Sequence, residues 1–210
     1  MSRRLVVLDV DSTLIENEVI ELLADVAGSR ELVALVTERA MRGELDFAES
    51  LRERVATLAG VPVSAFDDVR AQVTITDGVP ELIEAVHAAG GTVAVVSGGF
   101  HEILDPLASS LGLDDWKANR LEVIDGFLTG KVQGPIIDAQ AKADWLTAWA
   151  REGDFEWDQT VAIGDGANDL KMMAVAGTSI AFDAKPIVAE QADYSITTRD
   201  MREAIGIIGL

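Results

Sequence analysis

The feature that most constrains this chain is a set of short aliphatic runs, each stopped by a polar residue. Leu5-Val6-Val7-Leu8 ends at Asp9, Thr92 to Val96 ends at Ser97-Gly98-Gly99, and Thr160 to Ile163 ends at Gly164-Asp165. Thr178 to Phe182 is a fourth run, and Tyr194 to Thr197 is a short fifth. A strand with one face in water alternates apolar and polar residues. A run without alternation suits a strand buried on both faces, as in a parallel sheet covered by helices. Helical spacing fills the intervals. Pro80 to Ala89 is closed by Gly90-Gly91, Phe100 to Leu111 by Gly112, and Asp169 to Ala176 by Gly177. Strands alternating with helices predict an α/β fold with a doubly wound parallel sheet.

Two segments break the alternation. Residues 14–73 contain no convincing strand; Glu16 to Ala27, Ser29 to Arg42, Phe47 to Leu58 and Ser64 to Gln72 carry helical spacing. They predict a helical bundle inserted after the first strand, dividing the chain into a core of 1–13 and 74–210 and an insert of 14–73. The second break, near 119–132, reads as a small β-hairpin: Leu121 to Ile124, a two-residue Asp125-Gly126 turn, then Phe127 to Thr129. A chain of 210 residues accommodates one domain with such an insertion.

Charge narrows the partners. Thirty-six acidic residues against 17 basic ones give a net charge of -19, and no lysine or arginine run offsets it. Binding to nucleic acid or an anionic membrane works against that balance; a small anionic substrate held by a few placed cations and a metal does not. The absence of cysteine excludes disulfides, zinc-thiolate sites and thiol nucleophiles, and fits a reducing cytoplasm. The first apolar stretch is too short for a signal peptide, and none reaches the ~20 residues of a membrane span. A cytoplasmic enzyme is expected.

In sheets of this class ligands sit beyond the carboxyl ends of the strands. Those ends carry Asp9, Asp11 and Thr13, then Ser97-Gly98-Gly99, then Gly164-Asp165-Gly166-Ala167-Asn168-Asp169, and Lys142 opens a further helix. Singly, each has a plain structural explanation: an aspartate forms turns or caps helices, Ser97 caps the next helix, Lys142 is solvated. Together, Asp9, Asp11, Asp165 and Asp169 repel one another unless a cation joins them. An oxygen-only donor set without nearby His or Cys points to Mg2+.

Asp9-Val10-Asp11-Ser12-Thr13 resembles the first motif of the haloacid dehalogenase (HAD) superfamily. Ser97, Lys142 and Gly164 to Asp169 resemble its second, third and fourth motifs in the family's order. The insert and the hairpin fall where that superfamily carries cap elements. Val95 to Phe100, Ala118-Asn119-Arg120-Leu121 and Val161 to Asp169 are similar to signatures of the phosphoserine phosphatase family within it, as are Glu18, Phe47 and Arg54. The resemblance implies a HAD-like Rossmannoid core with a helical cap. It implies hydrolysis of O-phospho-L-serine through an aspartyl-phosphate, the last step of serine biosynthesis. It makes Asp9 the nucleophile and Asp11 the general acid and base. Metal ligation falls to Asp9, Asp11 through its backbone carbonyl, and Asp165. Ser97, Gly98 and Lys142 grip the phosphoryl oxygens, and Thr13 and Asp169 support the site from behind. Arg54 meets the α-carboxylate, Glu18 the α-ammonium, Phe47 and Met41 form an apolar lid, and Asn168 touches the substrate. With motif one at residue 9, the N-terminal regulatory domain of some relatives is not expected here.

Other conspicuous residues look structural. His87 and His101 lie in separate helices without metal spacing, and Trp145 and Trp149, one helical turn apart, pack together. A monomer or a homodimer is compatible with the sequence. Competing expectations are a related HAD phosphatase or phosphotransferase acting on another small phosphomonoester, a receiver-like signalling domain, and a non-catalytic binding protein. A receiver lacks a use for Asp11 and for an insert of ~60 residues, and a binding protein lacks a use for a complete motif set.

Overall fold

The computed structural model describes residues 3–42 and 44–210, with the main chain alone at Met41. β1 (Leu5–Leu8) lies in the middle of a sheet that has seven strands among the described residues, between β2 (Thr92–Phe100) and β5 (Thr160–Gly164). Beyond β2 come β3 (Asp115–Ile124) and β4 (Phe127–Gln133); beyond β5 come β6 (Thr178–Phe182) and β7 (Tyr194–Ile196). Neighbouring strands are parallel except β3 and β4, which are antiparallel.

The unbroken apolar runs have the expected cause. Val6, Leu8, Val93, Val95, Val161 and Ile163 enter one apolar cluster, and Leu5, Val7, Ala94, Val96 and Ala162 enter a second. Successive side chains point to opposite faces, so a strand covered on both must be apolar throughout. α5 (Val79–Ala88), α6 (His101–Leu111) and α10 (Arg202–Ile207) join the first cluster. α7 (Ala139–Glu152), α8 (Leu170–Val175) and α9 (Pro186–Ala189) join the second. Trp149 is buried in the second cluster and Trp145 packs against it, their ring centroids 5.6 Å apart.

Between β1 and β2 the chain forms α1 (Val19–Ala27), α2 (Arg30–Met41), α3 (Phe47–Ala56) and α4 (Ala65–Arg70). Their apolar faces, through residues such as Val19, Leu23, Leu51, Val55 and Val69, continue the first cluster. Two boundaries differ from the sequence expectation. Residues 16–18 are not helical, and Glu18 precedes α1 in an extended conformation. Phe100 ends β2 and does not open α6.

The hairpin is also larger than expected. Its first strand begins at Asp115 and pairs in parallel with β2, Ala94 opposite Asp115 and Phe100 opposite Asn119, before β4 folds back on it. Asp115-Trp116-Lys117 has no apolar run to announce a strand because this part of the sheet is only half-buried. The Asp125-Gly126 turn has φ of 51° and 83°, the left-handed pair that joins two strands in two residues. The hairpin touches the segment after α3: Gly60 N–H donates to the Leu128 carbonyl at 2.8 Å, and Leu128 N–H to the Val61 carbonyl at 2.8 Å. No described helix is long and apolar enough to cross a membrane.

α7 begins at a built cap. The Asp138 carboxylate accepts from Ala141 N–H at 2.9 Å, and its carbonyl accepts from Lys142 N–H at 3.0 Å. The Asp138→Ala variant is expected to lose roughly 1 kcal/mol of stability, the usual worth of an N-cap, measured by urea denaturation.

Candidate active site

At the carboxyl end of β1 the backbone leaves the sheet abruptly. Asp9 N–H still bonds the Ile163 carbonyl at 2.9 Å, and Ile15 N–H then reaches back to the Val10 carbonyl at 3.0 Å, closing one tight turn. Ser12, inside that turn, has φ of 59°, a conformation that costs a side-chain-bearing residue energy and clusters at functional sites. The Ser12 hydroxyl donates to Glu18 at 2.7 Å, and the Asp11 carboxylate accepts from Val19 N–H at 3.3 Å. The turn thus fixes Asp9 and Asp11 and brings Glu18 beside them.

Lys142, only 1% exposed, reaches under this turn from α7. Its Nζ lies 2.7 Å from Asp9 Oδ1 and 2.7 Å from Asp169 Oδ1, while Asp169 Oδ2 accepts from Gly166 N–H at 3.1 Å. The solvated-lysine explanation therefore fails. Carboxylate oxygens of Asp9, Asp165 and Asp169 lie within 4.8 Å of one another, with Asp9 and Asp169 buried.

These carboxylates outnumber the one ammonium among them. Burial, and then the charge on Asp169, holds the Asp9 carboxyl well above the usual carboxylate range, against the pull of Lys142. Burial, and then Glu18, pushes Asp11 up to about 7. Burial, Asp169 and Glu18 raise Asp165 to about 6. Burial alone would lower the Lys142 ammonium, but Asp169 and Asp9 more than offset it and hold it above the ordinary lysine value. Hard oxygen donors, clustered, buried and short of positive charge, suit a hard divalent cation. Both Asp169 oxygens are already engaged, which leaves Asp9 and Asp165 the freer ligands.

The second loop lies where β2 and β3 part: their register shifts between Val96 and Phe100. Gly99 N–H donates to Ser97 Oγ at 2.8 Å, inside the loop. The Phe47 ring from α3 covers Gly98 so closely that a Cβ there would sit 2.9 Å from its tip and the ring would have to shift.

Above these loops opens a cavity of about 440 Å³. Asp9, Asp11, Glu18, Phe47, Arg54, Gly98, Asp165 and Asn168 line it, so the structure gathers most of the residues selected from sequence. Ser97, Lys142 and Asp169 lie below its floor, each at most 1% exposed. Thr13 is buried too, and its hydroxyl has no hydrogen-bond partner among the described residues. The Met41 side chain lies outside the described residues. Arg54 is half-buried on α3 and bonds the Ser50 carbonyl at 3.3 Å. Glu53, the neighbour that could have held Arg54 at the surface, pairs with Arg39 at 2.6 Å instead. Burial lowers the Arg54 pKa, opposed by Glu18 and Asp11. Sequence reading missed Lys185, which lines the cavity and whose charge acts on Asp165. It follows β6, and extending the strand-end rule to that fourth run would have found it. His87 and His101 serve elsewhere, bonded to Asp114 at 2.8 Å and Asp105 at 2.6 Å.

Comparison with known proteins agrees with this geometry. The family model of haloacid dehalogenase-like hydrolases matches residues 6–174. A phosphoserine phosphatase of Streptococcus thermophilus is 54% identical over 204 residues, covering 97% of this chain and 95% of the relative. The phosphoserine phosphatase SerB2 of Mycobacterium tuberculosis is 49% identical; the match covers all of this chain but 51% of that longer protein. A solved structure described as a phospho-aspartyl intermediate analogue of phosphoserine phosphatase superposes with a TM-score of 0.92 at 42% identity, covering 99% of both chains.

The crowding of carboxylates predicts that the metal-free fold is under electrostatic load. A carboxyl whose folded pKa is raised binds its proton more tightly when native, so its contribution favours folding at low pH and is lost as pH rises. For Asp165 the loss runs from the ordinary 3.8 to about 6. In excess chelator, Asp165→Asn is expected to stabilise the protein by roughly 1–2 kcal/mol at pH 7 and to lose that advantage near pH 4, read by urea denaturation at both pH values. Equal stability at pH 7 would contradict the crowding.

Proposed function

Because the chain belongs to the haloacid dehalogenase-like hydrolases, we propose that Asp9 is the nucleophile of a phosphoserine phosphatase and that residues 14–73 form its substrate-selecting cap over a core of 1–13 and 74–210. The reaction is hydrolysis of O-phospho-L-serine to L-serine and phosphate, the closing step of serine biosynthesis. The observation that carries this reading is the shared cavity: the carboxylates of Asp9 and Asp11 open on the same space as Arg54 and Glu18.

An Asp9 carboxylate oxygen attacks phosphorus, and the bond between phosphorus and the serine oxygen breaks. Asp11 gives its proton to that oxygen as it leaves. Its raised pKa, about 7, keeps a proton available near neutrality. Asp11, now ionised, takes a proton from the water that attacks the phospho-aspartate, and Asp9 is regenerated. Two displacements replace one difficult hydrolysis. Asp9, the Asp11 carbonyl and Asp165 would hold a Mg2+ ion, which when bound would supply positive charge to offset the repulsion between the carboxylates and a phosphoryl group. Lys142 balances Asp9 and meets phosphoryl oxygens, together with Ser97 and the Gly98 amide. Asp169 holds Lys142 in place, and Thr13 fills the space beneath the turn.

Selectivity comes from the other wall. Arg54 offers a planar fork to the α-carboxylate and Glu18 accepts the α-ammonium. Phe47, on Gly98, shields the phosphoryl pocket from water, and Asn168 contacts the substrate at its rim. All these residues come from one chain, so neither a monomer nor a homodimer would lack part of the site. A reducing cytoplasm suits the cysteine-free composition.

The test is phosphate release from phosphoserine and from an aryl phosphate, with Mg2+ supplied. Arg54→Ala is expected to raise the KM for phosphoserine about 10- to 150-fold, the equivalent of ~1.5–3 kcal/mol for a charge-assisted contact. The aryl phosphate, which has no carboxylate, should change little. An equal loss on both would make Arg54 structural and remove the main support for amino-acid selectivity.

A further inference from the structure

Asn119 sits in the chain's Ala118-Asn119-Arg120-Leu121 stretch and takes no part in the chemistry above. It is only 1% exposed, on the part of β3 beside the point where β2 and β3 lose register. Both ends of its side-chain amide are used. Nδ2 donates to the Gly98 carbonyl at 2.8 Å, and Oδ1 accepts from Ile137 N–H at 2.9 Å. These partners are 21 and 18 residues away in sequence. One lies in the irregular end of β2, where its register with β3 shifts, and the other stands just before Asp138, the N-cap of the helix that carries Lys142.

Within the register shift, the loop carbonyls lose the regular β2–β3 ladder. A buried carbonyl without a partner costs free energy, so the loop needs a donor from elsewhere. Asn119 supplies it to Gly98, which lines the cavity described above. A donor and an acceptor, 2.8 and 2.9 Å from their partners on either side of one planar amide, also fix the distance between Gly98 and the start of α7. A carboxylate could keep only the acceptor half, because Gly98 presents an oxygen. An apolar residue would leave the Gly98 carbonyl and the Ile137 N–H without these partners.

We propose that Asn119 is a positioning residue that sets the Gly98 loop and the Lys142 helix at the spacing a phosphoryl group in flight requires. This rests on the reading of Asp9 as the nucleophile at a phosphoryl pocket. Asn119 acts on the phosphoryl half of the site alone. Its loss therefore affects every phosphomonoester alike, unlike loss of Arg54.

The test compares Asn119→Asp with wild type on phosphoserine and on an aryl phosphate, with orthovanadate as a probe for the five-coordinate geometry. The expected result is a drop of roughly 10- to 100-fold in kcat/KM, of like size on both substrates and carried mainly by kcat. Orthovanadate inhibition should weaken by a similar factor. Wild-type levels of both in a folded variant, whatever its melting temperature, would overturn the proposal and leave Asn119 a structural residue. Should Asn119→Asp fail to fold, the smaller, neutral Asn119→Ala is read in the same way. In the wild-type protein, the Asn119 side-chain amide signals should shift and exchange more slowly when orthovanadate saturates the site, and an unchanged spectrum would also overturn it. A wild-type enzyme inactive on both substrates would instead contradict the phosphatase reading itself, so the two failures are distinguishable.

Discussion

One buried ammonium stands against several buried carboxylates, and much of the structure follows from that imbalance. Lys142 bridges Asp9 and Asp169 at 2.7 Å each, almost without solvent. Burying charge is costly unless it is paired and hydrogen-bonded, so the surroundings are built to satisfy these groups. The Asp169 carboxylate takes a second bond from Gly166 N–H, and Asp9 takes one from Val10 N–H at 2.7 Å. Even so, Asp9, Asp11 and Asp165 together carry more buried negative charge than one lysine offsets, and their raised pKa values express it. A divalent cation would supply the positive charge that this group of carboxylates lacks. The fold holds a site short of positive charge, and the charge is completed when it works.

The two halves of the site are built differently. Asp9, Ser97 and Asp165 come from strand ends and Lys142 from α7, fixed by the parallel sheet. Glu18 and Arg54, on the opposite wall of the cavity, come from α1's approach and from α3, which touches the sheet end through contacts such as Phe47 on Gly98. The hairpin bridges them: it pairs with the segment after α3 on one side, and β3 carries Asn119 under the Gly98 loop on the other. Movement of the helical insert would therefore be felt at Gly98 through Phe47 on one side and β3 on the other.

Much of this was legible in the sequence, for identifiable reasons. Two-sided burial erases alternation, so β1, β2, β5 and β6 show as aliphatic runs, and the residues that stop them mark the site. The family resemblance brought in Arg54 and Glu18, which helical spacing alone could not have distinguished from surface charges. What stayed hidden depends on long-range pairing. The first half of β3 is half-buried at its parallel pairing with β2, so no run announced it. Asn119 gains meaning only from carbonyl and amide partners far away in the chain. Lys185 follows the fourth run, where the strand-end rule had not been applied.

The account stands or falls on Asp9. The most direct measurement is intact-protein mass spectrometry after rapid acid quench of enzyme turning over phosphoserine, followed by peptide mapping. The account predicts an acid-stable, hydroxylamine-labile phosphoryl group on Asp9, absent from Asp9→Asn, whose side chain keeps the shape but cannot form the acyl phosphate. Full turnover by a folded Asp9→Asn protein, or a phosphoryl group mapped to another residue, would contradict it.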